Sequence, residues 1–224
     1  MLKINGQIVK TPESEYGAFV ASSSRPGNGD MASVRISPSR IYGPWDDGFV
    51  LDRHTVSSAP TGDPYRWDTK RTELGQLVYE LKYVKNWGAL QSIVETAEDF
   101  IKNQWEGLPA LDCIVPAPPS LSARGLQPVV EVARVLAEQL GIEICENAVM
   151  KTAATPQMKN LNDWAQRRQT LREAIQKGTA NIQTKRVLVL DDLIESGATL
   201  GRVTDVLRSA GASEVYALAL TRTK

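Results

Sequence analysis

Cysteine is almost missing from this chain. There are two in 224 residues, Cys113 and Cys145, too few and too far apart for a disulfide framework or a four-cysteine zinc site. Histidine is scarcer: His54 is the only one, which excludes any mechanism that needs two. Neither sign of charge is in excess, since Lys+Arg and Asp+Glu both count 26. That balance argues against a strongly electrostatic nucleic-acid binder and leaves only a local basic patch open. No apolar stretch is long enough to span a bilayer, and the start lacks the basic, apolar, small-residue order of a secretory signal. No internal repeat stands out. The expected compartment is the reducing cytoplasm, and the length suits one large or two small domains with a real core.

What is present is organised around residues 186–200, RVLVLDDLIESGATL. Val187, Leu188, Val189 and Leu190 form a short, unalternating apolar run, as suits a strand buried on both faces of a parallel sheet. Asp191 and Asp192 come next. An unpaired carboxylate in a core costs several kcal/mol, so the strand is expected to surface there. After Glu195-Ser196-Gly197-Ala198-Thr199 the apolar spacing turns helical: Leu200, Val203, Val206, Leu207, Ala210, with Gly211 as the stop. Two acids at a strand end and a small-residue loop entering a helix define a chemistry. Backbone N–H groups at residues 197–199 and the hydroxyls of Ser196 and Thr199 can converge on one phosphate, helped by the helix dipole. The carboxylates can accept from vicinal hydroxyls. Together these describe a ribose 5-phosphate pocket.

Elsewhere the chain alternates strands and helices. Asn5-Gly6, between Leu2-Lys3-Ile4 and Gln7-Ile8-Val9, signals a hairpin. Val34, Ile36 and Ile41 suggest extended chain. The Pro- and Gly-rich stretch 43–68 suggests loops and short strands, with Trp45, Phe49, Tyr65 and Trp67 packing against the domain downstream. Asp68 is expected to cap a helix from Thr69, with Leu74, Leu77, Val78, Leu81 and Val84 inward. Lys82 lies near its end, either answering the dipole or facing a site. Asn86 is expected to cap a second helix, carrying Ile93, Val94, Ala97, Phe100, Ile101 and Trp105 inward. Residues 111–115 (LDCIV) read as a second buried strand, running into the stiff loop 116–125. Pro128 opens a helix that stops at Gly141. Residues 142–150 hold another strand, 161–177 a polar helix, and 214–221 a final strand. Two strand ends, each leading through a loop into a helix, predict a crevice at a switch point of a doubly wound sheet. His54 reads as a surface or satisfied histidine. The expected organisation is an N-terminal β/loop extension, 1–68, and an α/β domain, 69–224.

DDLIESGAT resembles the phosphoribosyl pyrophosphate motif of type I phosphoribosyltransferases. Taken in order, LVYELKYVKN, DCIVPAPPS with RGLQ, TPQMKNLNDWAQRRQTLREAI and DDLIESGATLGRVTDVLRSAGASEVYALALTR resemble the ComF family of phosphoribosyltransferase-like proteins. The likeness covers residues 69–221. It implies a type I phosphoribosyltransferase-like doubly wound parallel sheet. It further implies phosphoribosyl pyrophosphate, or a nucleoside monophosphate, with its 5-phosphate on residues 195–199 (Glu195, Ser196, Gly197, Ala198, Thr199). Asp191 and Asp192 would hold the ribose hydroxyls, directly or through Mg²⁺ and water. The diphosphate would lie against residues 118–120 (Pro119 and Ser120 foremost), with Arg124 or Lys82 supplying charge. Mg²⁺ would bind mainly the substrate's oxygens. Glu195 would act on a nucleobase acceptor, and a homodimer is typical of related folds.

Three features depart from the ComF pattern. Residues 1–68 hold no cysteine, where that family often carries a zinc module. Glu195 replaces the usual threonine, as an acid does in purine phosphoribosyltransferases. Leu126 and a shortening between Ser120 and Arg124 alter the diphosphate loop. Two functions are open. One is an enzyme transferring a phosphoribosyl group. The other is a non-catalytic protein on the same scaffold, either a regulatory nucleotide sensor or a partner in DNA uptake. The latter would bind single-stranded DNA through Arg167, Arg168, Arg172, Lys177 and Lys185.

Overall fold

The computed structural model describes residues 2–4, 7–9, 33–63, 67–119, 127–152, 170 and 172–223. The chain divides into two compact units, Met1–Met31 and Ala32–Lys224. In the first, β1 (Leu2–Ile4) and β2 (Gln7–Val9) pair antiparallel with Ile4 opposite Gln7, the hairpin that Asn5-Gly6 signals.

The second unit runs β3 (Ser39–Arg40), β4 (Asp47–Arg53), β5 (Thr55–Pro60), β6 (Trp67–Arg71), α1 (Glu73–Tyr79), α2 (Ala89–Asp99), β7 (Cys113–Pro116), α3 (Pro128–Leu140), β8 (Glu143–Ile144), β9 (Val149–Lys151), β10 (Ile175–Lys177), β11 (Arg186–Ile194), α4 (Ala198–Ser209) and β12 (Glu214–Arg222). Both α1 and α2 widen at their ends into π-helical turns, Glu80–Val84 and Phe100–Gln104. Six strands form one sheet in the order β3-β4-β12-β11-β7-β8, parallel except for edge strand β3.

The apolar run of β11 explains its central place. Strand residues point alternately to opposite faces. Leu188 and Leu190 pack with α1, α2 and α3 on one face. Val187 and Val189 pack with Leu200, Val203, Val206 and Leu207 of α4 on the other. All four strand residues are fully buried, contributing roughly 1.5–3 kcal/mol each. The step β7–α3–β8 moves one way across the sheet and β11–α4–β12 moves the other. Right-handed crossovers then put their helices on opposite faces, as the two core clusters show. The strand order reverses between β11 and β7, at the predicted switch point.

The structure moves several sequence-based boundaries. Residues 47–53, assigned to the extension, form a strand of the central sheet between β3 and β12. Asp68 caps no helix, because residues 67–71 pair with β5. The cap is Thr72, whose Oγ1 accepts from the Gly75 N–H at 3.0 Å and donates to the Arg53 carbonyl at 2.6 Å. Val84 is not inward: the wider π turn carries it off the helix stripe, and it is 60% exposed. Trp67 is likewise exposed, whereas Phe49 packs edge-on against Phe100 and Trp105 as expected. Residues 175–177, expected to end a helix, pair antiparallel with β9. Tyr65 and most of the rest of that helix lie outside the described residues.

Candidate phosphate and diol site

β11 does not end at the acids. It runs to Ile194, still paired with β12 through Leu193–Thr221 and Ile194–Arg222, while its pairing with β7 stops at Leu190–Pro116. Among the described residues, one edge of the strand is therefore open from Asp191 onward. That is how two carboxylates stand at the end of a buried strand, each half-buried rather than enclosed.

The chain then turns at Gly197, φ +72°, and enters α4 at Ala198. A side chain at that backbone angle is strained. The first N–H groups of a helix have no carbonyl ahead of them to bond. Here they border a cavity of about 190 Å³ lined by Asp191, Leu193, Ile194, Glu195, Ser196, Gly197, Ala198, Thr199 and Leu200. Glu195 and Ser196 are exposed at its mouth. Of the two acids and the five loop residues that the sequence offers for this end of the site, all but one acid line this cavity.

Asp192 is the exception. Neighbouring strand residues point to opposite faces, so Asp191 turns to the α4 side and Asp192 to the α1 side. There both Asp192 oxygens meet Lys82 Nζ, at 2.7 and 3.0 Å. The π turn that ends α1 carries Lys82 to this contact. Burial pulls the Lys82 ammonium down, but the charge and hydrogen bond of Asp192 outweigh it and hold it above the usual lysine value.

Asp191 shows the opposite imbalance. Burial, then the Asp192 charge, push its carboxyl up to about 7, against Lys82 and the Asp192 and Leu193 N–H groups. Its Oδ1 accepts from the Asp192 N–H at 2.9 Å. An acid with a folded pKa above its ordinary 3.8 binds more protons folded than unfolded in that window, so its contribution makes stability fall as pH rises from about 4 to about 7. Asp191→Asn removes this contribution. Thermal melts across pH are expected to show a shallower decline in the variant, with a gain over wild type at neutral pH and none in acid. Parallel profiles would rule the assignment out.

Two further residues support the strand end. The Thr221 hydroxyl donates to the Asp192 carbonyl at 3.0 Å. It therefore accepts from His54 Nδ1–H at 3.2 Å. Burial first, then Arg71 and Lys82, hold His54 below its usual value against the pull of Asp192, so the ring is neutral at pH 7. Thr221, at the carboxyl end of β12, is a residue that sequence reasoning misses; its position level with the acids is the available signal.

Of the remaining expectations, Pro119 lies just past the end of β7, and Ser120 and Arg124 lie outside the described residues. So do Arg167 and Arg168. Lys185, expected in a basic groove, is paired with Glu143. Among the described residues no group of three or more His, Cys, Asp or Glu could hold a metal ion. Among the described residues, Asp191 and Glu195 line the cavity and Asp192 is paired with Lys82, fewer protein oxygens than the octahedral shell of Mg²⁺ takes. These side chains would leave most of a Mg²⁺ shell to substrate oxygens and water.

Residues 120–223 match the phosphoribosyl transferase domain family. This stretch contains both acids, the cradle loop and β12. Over 39 residues the chain is 44% identical to a Lactococcus lactis subsp. lactis protein bearing the name ribose-phosphate pyrophosphokinase 2, which covers 17% of this chain and 12% of that one. Among solved structures, the glutamine phosphoribosylpyrophosphate amidotransferase of B. subtilis aligns with TM-score 0.46 at 20% identity, over 68% of this chain and 33% of that one. A hypoxanthine-guanine phosphoribosyltransferase of Bacillus anthracis aligns with TM-score 0.39 at 19% identity, over 59% and 68%. Residues 120–223 are thus similar to a phosphoribosyl transferase domain, and the chain has a mixed α/β fold with a mostly parallel sheet. No helix among the described residues is long and apolar enough to cross a membrane.

Proposed function

We propose that the chain binds phosphoribosyl pyrophosphate, with Mg²⁺ on its diphosphate, and transfers the phosphoribosyl group to a nucleobase-like acceptor. The observation that carries this reading is the cavity at the switch point, where Asp191 and the loop 195–199 meet. The 5-phosphate sits on the N–H groups at the start of α4 and on the Ser196 and Thr199 hydroxyls. Asp191 accepts from a ribose hydroxyl. Lys82 and Asp192 border the other side, where the ammonium can turn to the departing diphosphate. Bound Mg²⁺ supplies neutralising charge to that diphosphate. Bond breaking at the sugar carbon leaves a cation-like sugar, so the protein's part is positioning and charge stabilisation. Glu195, at the cavity mouth, accepts the proton of the acceptor.

Calorimetric titration of phosphoribosyl pyrophosphate with Mg²⁺ tests the reading: micromolar binding is expected, and none would end it. Glu195→Gln is expected to lower turnover by about 10²–10⁴-fold, the range of a lost general base, with the donor's affinity unchanged. Undiminished turnover would remove Glu195 from this role.

A further inference from the structure

A second cavity, of about 310 Å³, lies behind the cradle. Its lining is Tyr42, Gly43, Pro44, Trp45, Arg172, Ser196, Gly197, Ala198, Gly201, Arg202 and Asp205. It shares the wall 196–198 with the cradle but includes neither acid of β11 nor Glu195, so an occupant does not reach the reacting sugar carbon.

Much of the surrounding backbone is tied to α4. Arg208 donates to the Pro44 carbonyl at 3.1 Å and to Asp46 at 3.0 Å, pinning residues 44–46 to α4. Trp45 Nε1 donates to the Ile41 carbonyl at 3.0 Å. Arg202 donates to the Ile175 carbonyl at 2.9 and 3.2 Å and to the Arg172 carbonyl at 3.2 Å. That tie sets Arg172 at the rim, where its own guanidinium has no partner among the described residues.

The floor is Gly201, inside α4. Nothing in the backbone requires glycine there: its φ is not positive, and an added Cβ would meet only Pro44, at 3.6 Å, an ordinary contact. An alanine would fit and would favour the helix. The glycine instead leaves the floor open.

We infer that this cavity binds a planar aromatic ring bearing one carboxylate. Tyr42, Pro44 and Trp45 supply the flat apolar wall, as small-molecule pockets commonly have. Arg172 supplies the planar two-pronged donor that matches a carboxylate. Asp205, one turn beyond Gly201, opposes a second anionic group. The site stands apart from the proposed transfer reaction, and either can fail without the other.

The test is calorimetry and Trp fluorescence on the full chain with three probes: naphthalene-2-carboxylate, its neutral carboxamide, and naphthalene-2,6-dicarboxylate. Saturable binding of the monocarboxylate is expected, with the other two weaker. Arg172→Gln is expected to weaken it roughly tenfold or more, as loss of a charged hydrogen bond does. Gly201→Leu is expected to block it, and Gly201→Ala to fold and to weaken it less. Thr199→Val, in the cradle, is expected to leave it unchanged. Absence of saturable binding, binding indifferent to Arg172→Gln, or binding lost in Thr199→Val would each overturn the assignment.

Discussion

Replacing Asp191 and Asp192 together by asparagine is expected to weaken the binding of phosphoribosyl pyrophosphate with Mg²⁺ by about 10²-fold or more. The Asp191 carboxylate, which accepts a ribose hydroxyl, contributes roughly 1.5–3 kcal/mol, Asp192 adds to this by holding Lys82 in place, and about 1.4 kcal/mol is tenfold in affinity. The loop 196–199 is untouched, so weak binding of inorganic phosphate is expected to survive as an internal control. The double variant also frees Lys82 from Asp192, and Lys82→Met separates the two effects. If it binds as wild type does, the carboxylates carry the loss. If it loses as much as the double variant, the ammonium is the group that matters. Wild-type affinity in the double variant would remove the diol assignment altogether.

Gly75→Ala is expected to disturb the packing of α1 against the end of β4. A Cβ at Gly75 would stand 2.2 Å from the His54 carbonyl oxygen and 2.9 Å from the Thr72 hydroxyl. The first of these is backbone and cannot swing aside, so α1 must move away from the end of β4. Overpacking of this kind costs typically about 1–3 kcal/mol. For a chain of this size that lowers Tm by roughly 2–4 °C per kcal/mol, hence about 6–12 °C at the upper end. The displacement would also carry Lys82 away from Asp192, since both α1 and its π turn move together. Differential scanning calorimetry checks the first effect and the pH dependence of stability near neutrality checks the second. A Tm within about 1 °C of wild type would show that the close approach at Gly75 is relaxed in solution.

The parts of this fold that are readable in the sequence are those whose signal is local. Val187 to Leu190 announce a two-faced strand because four consecutive apolar residues leave no polar side. Gly197, Pro128 and Gly141 mark helix boundaries through backbone chemistry that acts within one turn. Loop 195–199 is legible for the same reason, and all five residues line the cavity. What escapes depends on distant partners. Residues 47–53 carry an aspartate and an arginine at the ends of a short apolar core, and only pairing with β12 makes them a central strand. Lys82 and Asp192 are 110 positions apart, so their contact is a product of topology alone. The exposure of Val84 comes from a π turn, which the spacing of Leu74, Val78 and Leu81 does not foreshadow. Arg172 and Tyr42 meet across one cavity only because two arginines of α4 hold their segments in place.

The position of β4 also sets an order of events during synthesis. Its strand partners are β3, of two residues, and β12, which begins at Glu214. Val50 and Leu51, both fully buried in the finished protein, are made about 160 residues before that partner. At 5–20 residues per second the wait is roughly 8–32 s. For that interval β4 has an open edge of the kind that recruits other chains. Until β12 is made, Val50 and Leu51 therefore lack the strand that pairs with them in the finished sheet.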